Sequence, residues 1–186
     1  DAAQPDKIIQ NYLPSPPKGK TVVVGCGKAA ASMAFAFEKY WKYPVTGLVI
    51  TMYGHSVPTK FIEVVEANHP IPDVNGQNAA ARIMSLAKTL GSDDLLIFLV
   101  SGGGSALMPL PVEGISLTEK QRINAALLKS GADIFEMNAV RKHISGIKGG
   151  KLALAAYPAK VITLAISDIP GDDPAVIASG PTLPDS

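Results

Sequence analysis

The stretch "KTVVVGCGKAAASMAFAFEKYW", residues 20–41, contains the pattern that predicts the fold most directly. Its first half is a short β-branched run closed by glycines, and its second half is rich in residues with high helix propensity. The stretch therefore predicts a strand, a tight turn and a helix, in that order.

Four further apolar runs are predicted to form strands. Three are expected to be buried, and the second in chain order shows a more exposed alternation. These strands are predicted over residues 45–51, 61–67, 94–100 and 159–167.

Amphipathic segments separate these runs and are predicted to form helices. One begins near Gly76 and ends at Gly91, and another follows the capping-box pair Ser116 and Glu119. Others begin at Asp133 and after the glycines at 149–150. Strands alternating with helices predict one α/β domain over residues 1–186, with an open, mostly parallel, Rossmann-like sheet covered by helices on both faces.

The composition limits the classes of function. Seventeen Lys and Arg against 16 Asp and Glu give a net charge of +1, which offers no general attraction to nucleic acid or to an anionic membrane. The single cysteine, Cys26, cannot form an internal disulfide, and no apolar run approaches the length of a membrane span. A small-molecule ligand and a cytoplasmic location are therefore expected.

Ligands of such sheets bind at the carboxyl ends of the strands, where the first candidate is the turn Gly25-x-Gly27-x-x-Ala30. It matches the dinucleotide fingerprint, but the acidic residue expected at the end of the second strand is absent from residues 50–53. Lys28 within the turn can join the helix amides to clamp a phosphate or carboxylate. Alternatively, it is a solvated lysine of the first helical turn.

The second candidate is Ser101-Gly102-Gly103-Gly104-Ser105, which follows a run of apolar residues. It has no lysine and is not a Walker A sequence. Consecutive glycines allow several backbone amides to face one anion, and the two serines add hydroxyl donors. Glycines also serve close packing, so the alternative is that this loop is a tight turn between two elements and binds no anion.

The third candidate is "SDIPGDDP", residues 167–174, which places Asp168, Asp172 and Asp173 after the last strand. These carboxylates can bind magnesium or a substrate hydroxyl, although the same residues are common in turns.

Several basic residues lie between positions 141 and 151, namely Arg141, Lys142, His143, Lys148 and Lys151. They form either a solvated face or, with Gly149 and Gly150, a further anion site. His69, which precedes a proline, is expected to be a hydrogen-bonding loop residue.

Five ordered motifs resemble the N-terminal domain of type 2 glycerate kinases, some members of which are labelled hydroxypyruvate reductases. The motifs are "VVVGCGKAAASMA", "ANHPIPD", "FLVSGGGSALMPLP", "MNAVRKHISGIKGGKLA" and "SDIPGDDPAVIASGPT". The resemblance implies a two-domain enzyme that uses ATP and Mg²⁺ to phosphorylate the C2 hydroxyl of D-glycerate, giving 2-phosphoglycerate. It also implies that Lys28 is catalytic and that Ser101–Ser105 is a ligand-anion loop.

In this family a second domain follows and supplies a catalytic arginine. The resemblance therefore implies that the 186 residues alone are a fragment with little or no turnover. An NAD(P)H-dependent hydroxypyruvate reductase and a non-catalytic sugar-phosphate-binding module are the alternative functions, and a homodimer is among the expected assemblies.

The sequence thus yields one set of candidate site residues. Lys28 and Asp168 are the catalytic candidates, and Asp168 and Asp172 are the metal candidates. The substrate- and phosphate-binding candidates are Gly25, Gly27, Ser101, Gly102, Gly103, Gly104, Ser105, Arg141 and Lys148.

Overall fold

A computed structural model describes residues 5–167 and 177–184. Within these residues the centre of the fold is a five-stranded sheet in the order β3-β2-β1-β4-β5, with every pair of neighbours parallel. The strands are β1 (Thr21–Cys26), β2 (Val45–Met52), β3 (Ile62–Ala67), β4 (Leu95–Ser101) and β5 (Lys160–Ile166). The predicted open parallel sheet is confirmed.

The helices cover both faces of this sheet. They are α1 (Pro5–Ile8), α2 (Ala30–Tyr40), α3 (Val74–Ala87), α4 (Gly104–Leu107), α5 (Leu117–Ser130), α6 (Ile134–His143) and α7 (Lys151–Ala156). Helix α2 packs on one face, and α3 and α7 contribute to the core on the other. No helix within the described residues is long and apolar enough to cross a membrane.

Local signals define the helix ends that the sequence predicted. The Oδ1 atom of Asp73 accepts the amide of Gly76 at 2.9 Å, so α3 begins at Val74, slightly before the predicted start. At α5 the capping box is confirmed: Ser116 Oγ accepts the Glu119 amide at 3.2 Å, and the Glu119 carboxylate accepts the Ser116 amide at 2.7 Å.

Strand β5 differs from its prediction. Residues 159–167 were expected to be buried, but exposed positions recur along β5 and the others are only partly buried. The described residues pair β5 with β4 on one side alone, so β5 is an edge strand. Strands β1 and β4 in the interior of the sheet are buried throughout, as predicted.

The strand order places a ligand-binding position between β1 and β4. From β1 the chain proceeds to β2 and β3 on one side of the sheet, and the later strands β4 and β5 lie on the other side. Such a reversal leaves a crevice at the carboxyl ends of the two central strands, because the connections from these strands diverge to opposite sides. The first and second candidate loops lie at these two ends.

Gly25, near the carboxyl end of β1, provides a test of the sheet packing. It pairs with Val49 on one side and Leu99 on the other, and a Cβ atom there would collide with the carbonyl oxygen of Leu99. We expect Gly25→Ala to lower the free energy of unfolding by about 1–3 kcal/mol, because the added methyl group would force the closely packed strands β1 and β4 to shift apart.

Urea unfolding of the variant, monitored by circular dichroism, measures this loss. The matched control is Gly91→Ala, where the nearest atom to an added Cβ is 3.8 Å away. Equal stability of the two variants would show that β1 and β4 do not pack as closely as described.

Candidate functional site

The turns that follow β1 and β4 are hydrogen-bonded to each other. The amide of Lys28 donates to the carbonyl oxygen of Gly102 at 2.9 Å, and the amide of Ala29 donates to Ser101 Oγ at 3.0 Å. The two predicted loops therefore meet, as their positions at the ends of neighbouring strands led us to expect.

Gly27 makes this close approach possible. Its φ of +134° lies in a region that favours glycine, and a Cβ atom there would collide with Ser101 Oγ and lie 2.6 Å from the Ser101 carbonyl oxygen. Any larger residue would push the Lys28 turn away from the loop after β4. Gly27 therefore has a structural role within the candidate site.

The second loop turns directly into the single-turn helix α4. Gly103 precedes the helix with φ +84°, and its carbonyl oxygen accepts the amides of Ala106 and Leu107. A Cβ atom at Gly104 would lie 2.8 Å from Cys26 Sγ, so this glycine serves close packing. The predicted packing role thus holds at Gly104, while anion binding by the loop amides stays a prediction.

Two side chains border Gly103 on its open side. A Cβ atom at Gly103 would lie 3.0 Å from His69 Cδ2, 3.1 Å from His69 Nε2 and 3.4 Å from Lys28 Cε. His69 follows β3 and is partly buried. It thus lies beside Lys28 at the same end of the sheet, although the sequence indicated only a loop residue.

The ammonium group of Lys28 is available to a ligand. Lys28 is exposed, and its Nζ atom forms no hydrogen bond or ion pair with any residue that the structure describes. Its backbone is held in place, because Thr51 Oγ1 donates to the Lys28 carbonyl oxygen at 3.2 Å. An exposed cation that has no partner among the described residues, on a fixed backbone beside a glycine loop, is suited to binding an anion.

A cavity of about 570 Å³ adjoins this position, and we call it the basic cavity. Its charged lining residues are Lys120, Arg122, Arg141 and Lys148. Ser105, from the glycine loop, lines it as well. The cavity is therefore continuous with the loop that contacts Lys28.

Lys148 is a buried cation within this cavity. Its Nζ atom donates to Ser105 O at 3.2 Å, Ser105 Oγ at 3.2 Å and Ala178 O at 3.1 Å. Ser105 Oγ also lies 2.9 Å from Ser179 Oγ. Lys148 thereby fixes Ser105 against residues 177–179, and burial lowers its pKa to about 7, with smaller contributions from Lys120 and Arg141.

Lys120 and Arg141 complete the cluster of interacting cations. The Lys120 side chain is buried and donates to Ile144 O at 3.4 Å, and burial lowers its pKa to about 8, with Lys151 and Arg141 adding to the effect. Arg141 is partly buried, and its guanidinium has no hydrogen-bond or ion-pair partner within residues 5–167 and 177–184. Burial lowers its pKa also.

The predicted site residues therefore fall into four groups. Lys28, Gly27 and the Ser101–Ser105 loop come together at the ends of β1 and β4, and Arg141 and Lys148 join Ser105 in the basic cavity. Gly25 lies inside β1. Asp168 and Asp172, together with Asp173, lie outside the described residues, among which no group of three or more His, Cys, Asp or Glu side chains could hold a metal.

Sequence reasoning missed His69 and Lys120. His69 could have been found from its position just after a predicted strand, because that places it at the same sheet edge as the candidate loops. Lys120 gave no signal, since it lies within a polar helix whose buried side is set by distant residues.

Comparisons with known proteins relate the chain to a single group. A family model described as a domain of unknown function, DUF4147, matches residues 1–186. An Agrobacterium vitis protein whose name assigns it provisionally as a hydroxypyruvate reductase is 53% identical over 185 residues, covering 99% of this chain and 42% of that protein. The D-glycerate 2-kinase of Thermotoga maritima is 47% identical over 188 residues, and the match covers 100% of this chain and 45% of that protein.

A solved structure shows the same similarity. The crystal structure of glycerate kinase from Thermotoga maritima matches with a TM-score of 0.92 and 44% identity, covering 100% of this chain and 45% of that one. The chain thus spans less than half the length of these relatives. The resemblance to glycerate 2-kinases inferred from the five motifs is confirmed.

The buried lysines of the basic cavity should make the stability of the fold depend on pH. In the unfolded chain a lysine titrates near its ordinary pKa of about 10.4, whereas the folded pKa is about 7 for Lys148 and about 8 for Lys120. Between pH 7 and 9 the unfolded state therefore binds more protons. The free energy of unfolding should rise across this window, by roughly 1–2 kcal/mol per pH unit.

Urea unfolding at pH 7, 8 and 9 measures this slope. The window ends at pH 9 because burial raises the pKa of Cys26 to about 12, which opposes the rise at higher pH. Lys120→Met should reduce the slope, and Lys129→Met, an exposed position on the same helix, should preserve it. A flat profile in the unmodified chain would contradict the burial of these ammonium groups.

Proposed function

The chain belongs to the DUF4147 family, and from this premise we propose that it forms part of an ATP-dependent glycerate 2-kinase. The enzyme transfers the γ-phosphoryl group of ATP to the C2 hydroxyl of D-glycerate and releases 2-phosphoglycerate. Relatives named glycerate kinase from bacteria, archaea and mammals support this reaction.

The exposed ammonium of Lys28, which has no partner within residues 5–167 and 177–184, is the observation that carries the proposal. It lies beside Gly103 and His69, at the sheet edge where α/β proteins bind their ligands. Phosphoryl transfer depends on positive charge placed around the transferred group, since negative charge is spread over its oxygens. Lys28 either neutralises that charge or holds the glycerate carboxylate.

The neighbouring groups of the site position this lysine. Thr51 and Gly102 hold the Lys28 backbone through its carbonyl and amide, and Ser101 Oγ holds the next amide. His69 places an imidazole beside Gly103, near the Lys28 side chain. A site fixed in this way need not reorganise when charge develops during transfer.

Magnesium remains a proposal that rests on the family resemblance. Mg²⁺ is usually held by one or two carboxylates together with the substrate phosphates. The described residues bring no group of metal-binding side chains together, so we derive no step through the ion. Asp168 and Asp172 remain its predicted ligands.

Full activity is proposed to require more than these 186 residues. The chain covers 45% of the Thermotoga maritima kinase that it matches, and the family resemblance places a catalytic arginine in the following domain. Losing one such arginine can lower the rate on the order of 10³-fold in other phosphoryl-transfer enzymes. We therefore propose that the isolated chain turns over little or no substrate.

The reductase alternative draws on the name of the Agrobacterium vitis relative. In dinucleotide-binding folds an acidic residue at the end of the second strand binds the ribose. Here β2 ends in Thr51 and Met52, and Thr51 is buried and bonded to the Lys28 backbone. Hydroxypyruvate-dependent oxidation of NADH by the whole protein would favour the reductase.

The role of Lys28 can be tested by substitution in the whole protein. We expect Lys28→Ala to lower kcat for glycerate-dependent ATP turnover by about 100-fold or more, because one charge-stabilising donor is lost. A coupled assay that follows ADP release measures the effect. Lys88→Ala, which removes an exposed lysine at the end of α3, should leave kcat unchanged. Unchanged turnover in Lys28→Ala would refute the proposed role.

A further inference from the structure

We propose that the basic cavity binds the polyphosphate chain of the nucleoside triphosphate, so that donor and acceptor occupy adjoining parts of one site. This inference rests on the proposed kinase function. It goes further by assigning the donor to the cavity beside α5 and α6, and by placing Lys28 where the transferred group meets the acceptor.

The charge of the cavity favours a polyanion. Lys120, Arg122, Arg141 and Lys148 all line it, and no Asp or Glu is among the lining residues within 5–167 and 177–184. Among the residues described by the structure, the guanidinium of Arg141 has no partner at all. A ligand with several negative charges would pair with cations that have no acidic partner among the described residues.

Burial strengthens this inference. The side chains of Lys120 and Lys148 are each only 2% exposed. Burying cations near one another without a counter-ion is unfavourable, and the lowered pKa values of both lysines reflect that cost. A bound polyphosphate would offset the repulsion between these cations. The cavity therefore has the electrostatic character of a site prepared for phosphate groups.

Size and apolar surface favour a nucleotide over a three-carbon acid. The cavity volume of about 570 Å³ is within the range typical of sites for drug-sized ligands. Its lining also includes the exposed side chains of Ile71 and Leu128, together with Pro70, Pro72 and Ala125. Such apolar groups suit a nucleoside, while the cations suit its phosphates. Glycerate would leave most of this surface unused.

Two connections join the cavity to the Lys28 position. Ser105 lines the cavity and belongs to the loop whose Gly102 accepts the Lys28 amide. Pro70 lines the cavity and directly follows His69, whose ring borders Gly103. A triphosphate that extends along the cavity towards Ser105 would therefore direct its terminal phosphate towards Lys28.

Substitution of Arg141 in the whole protein tests the assignment. We expect Arg141→Ala to raise the KM for ATP on the order of tenfold or more, because a charge-assisted contact is lost, while the KM for glycerate stays unchanged. Arg141 forms no hydrogen bond that the structure describes, so its removal should preserve the fold. Lys120→Met should act in the same direction. Lys129→Ala, on the same helix outside the cavity, is the matched control.

The outcomes separate this inference from the proposed function. If Arg141→Ala raises the KM for glycerate and leaves that for ATP unchanged, the inference is overturned while the kinase stands. If the unmodified protein lacks glycerate-dependent turnover, the proposed function fails. In that case the cavity assignment is tested by calorimetric titration with a non-hydrolysable ATP analogue. Weaker binding by Arg141→Ala than by the unmodified protein upholds the assignment, and equal binding overturns it.

Discussion

The contact between the ends of β1 and β4 is the constraint on which the candidate site depends. The amides of Lys28 and Ala29 both donate across this contact, to Gly102 and Ser101. Gly27 permits the approach because a side chain there would collide with Ser101. The same contact holds the Lys28 backbone and the start of the glycine loop, which then turns into α4, and Ser105 of this helix lines the basic cavity.

Two lysines near this loop have opposite environments and therefore different chemical roles. Lys28 is exposed and its ammonium has no partner in the part of the chain that the structure describes, whereas Lys148 is buried and donates to three protein oxygens. Lys148 thus stabilises the position of Ser105, and its cost of desolvation lowers its pKa. The local arrangement combines an exposed lysine that can contact a ligand with a buried lysine that supports the loop, and precise positioning of a reacting group requires such support.

The fold was predictable from the sequence because its signals are local. Strand β1, the turn after it and α2 follow directly from one β-branched run, its glycines and a series of helix formers, and Ser116 and Glu119 define the start of α5. The meeting of the two glycine loops also followed, since the ends of parallel strands lie at one edge of a sheet. The edge position of β5, and with it the partial exposure of this strand, could not be predicted. Burial of a strand depends on its neighbours in the sheet rather than on its own sequence.

The burial of Lys148 and the proximity of the His69 ring to Gly103 were not predictable for the same reason, although the sheet edge at which His69 lies was. A run of basic residues is usually solvated, and only the packing of residues 177–179 against Ser105 shows that Lys148 is enclosed. The contact of His69 with Gly103 joins residues that follow different strands. Non-local contacts of this kind therefore determine which charges face a ligand and which support the fold.

A crystal structure of the whole protein with D-glycerate and a non-hydrolysable ATP analogue would test the function of this sheet edge most directly. We expect an oxygen of the glycerate or of the terminal phosphate within hydrogen-bonding distance of Lys28 Nζ, between the glycine loop and His69. Both ligands bound elsewhere, with the Lys28 ammonium facing solvent, would contradict the role assigned to this site.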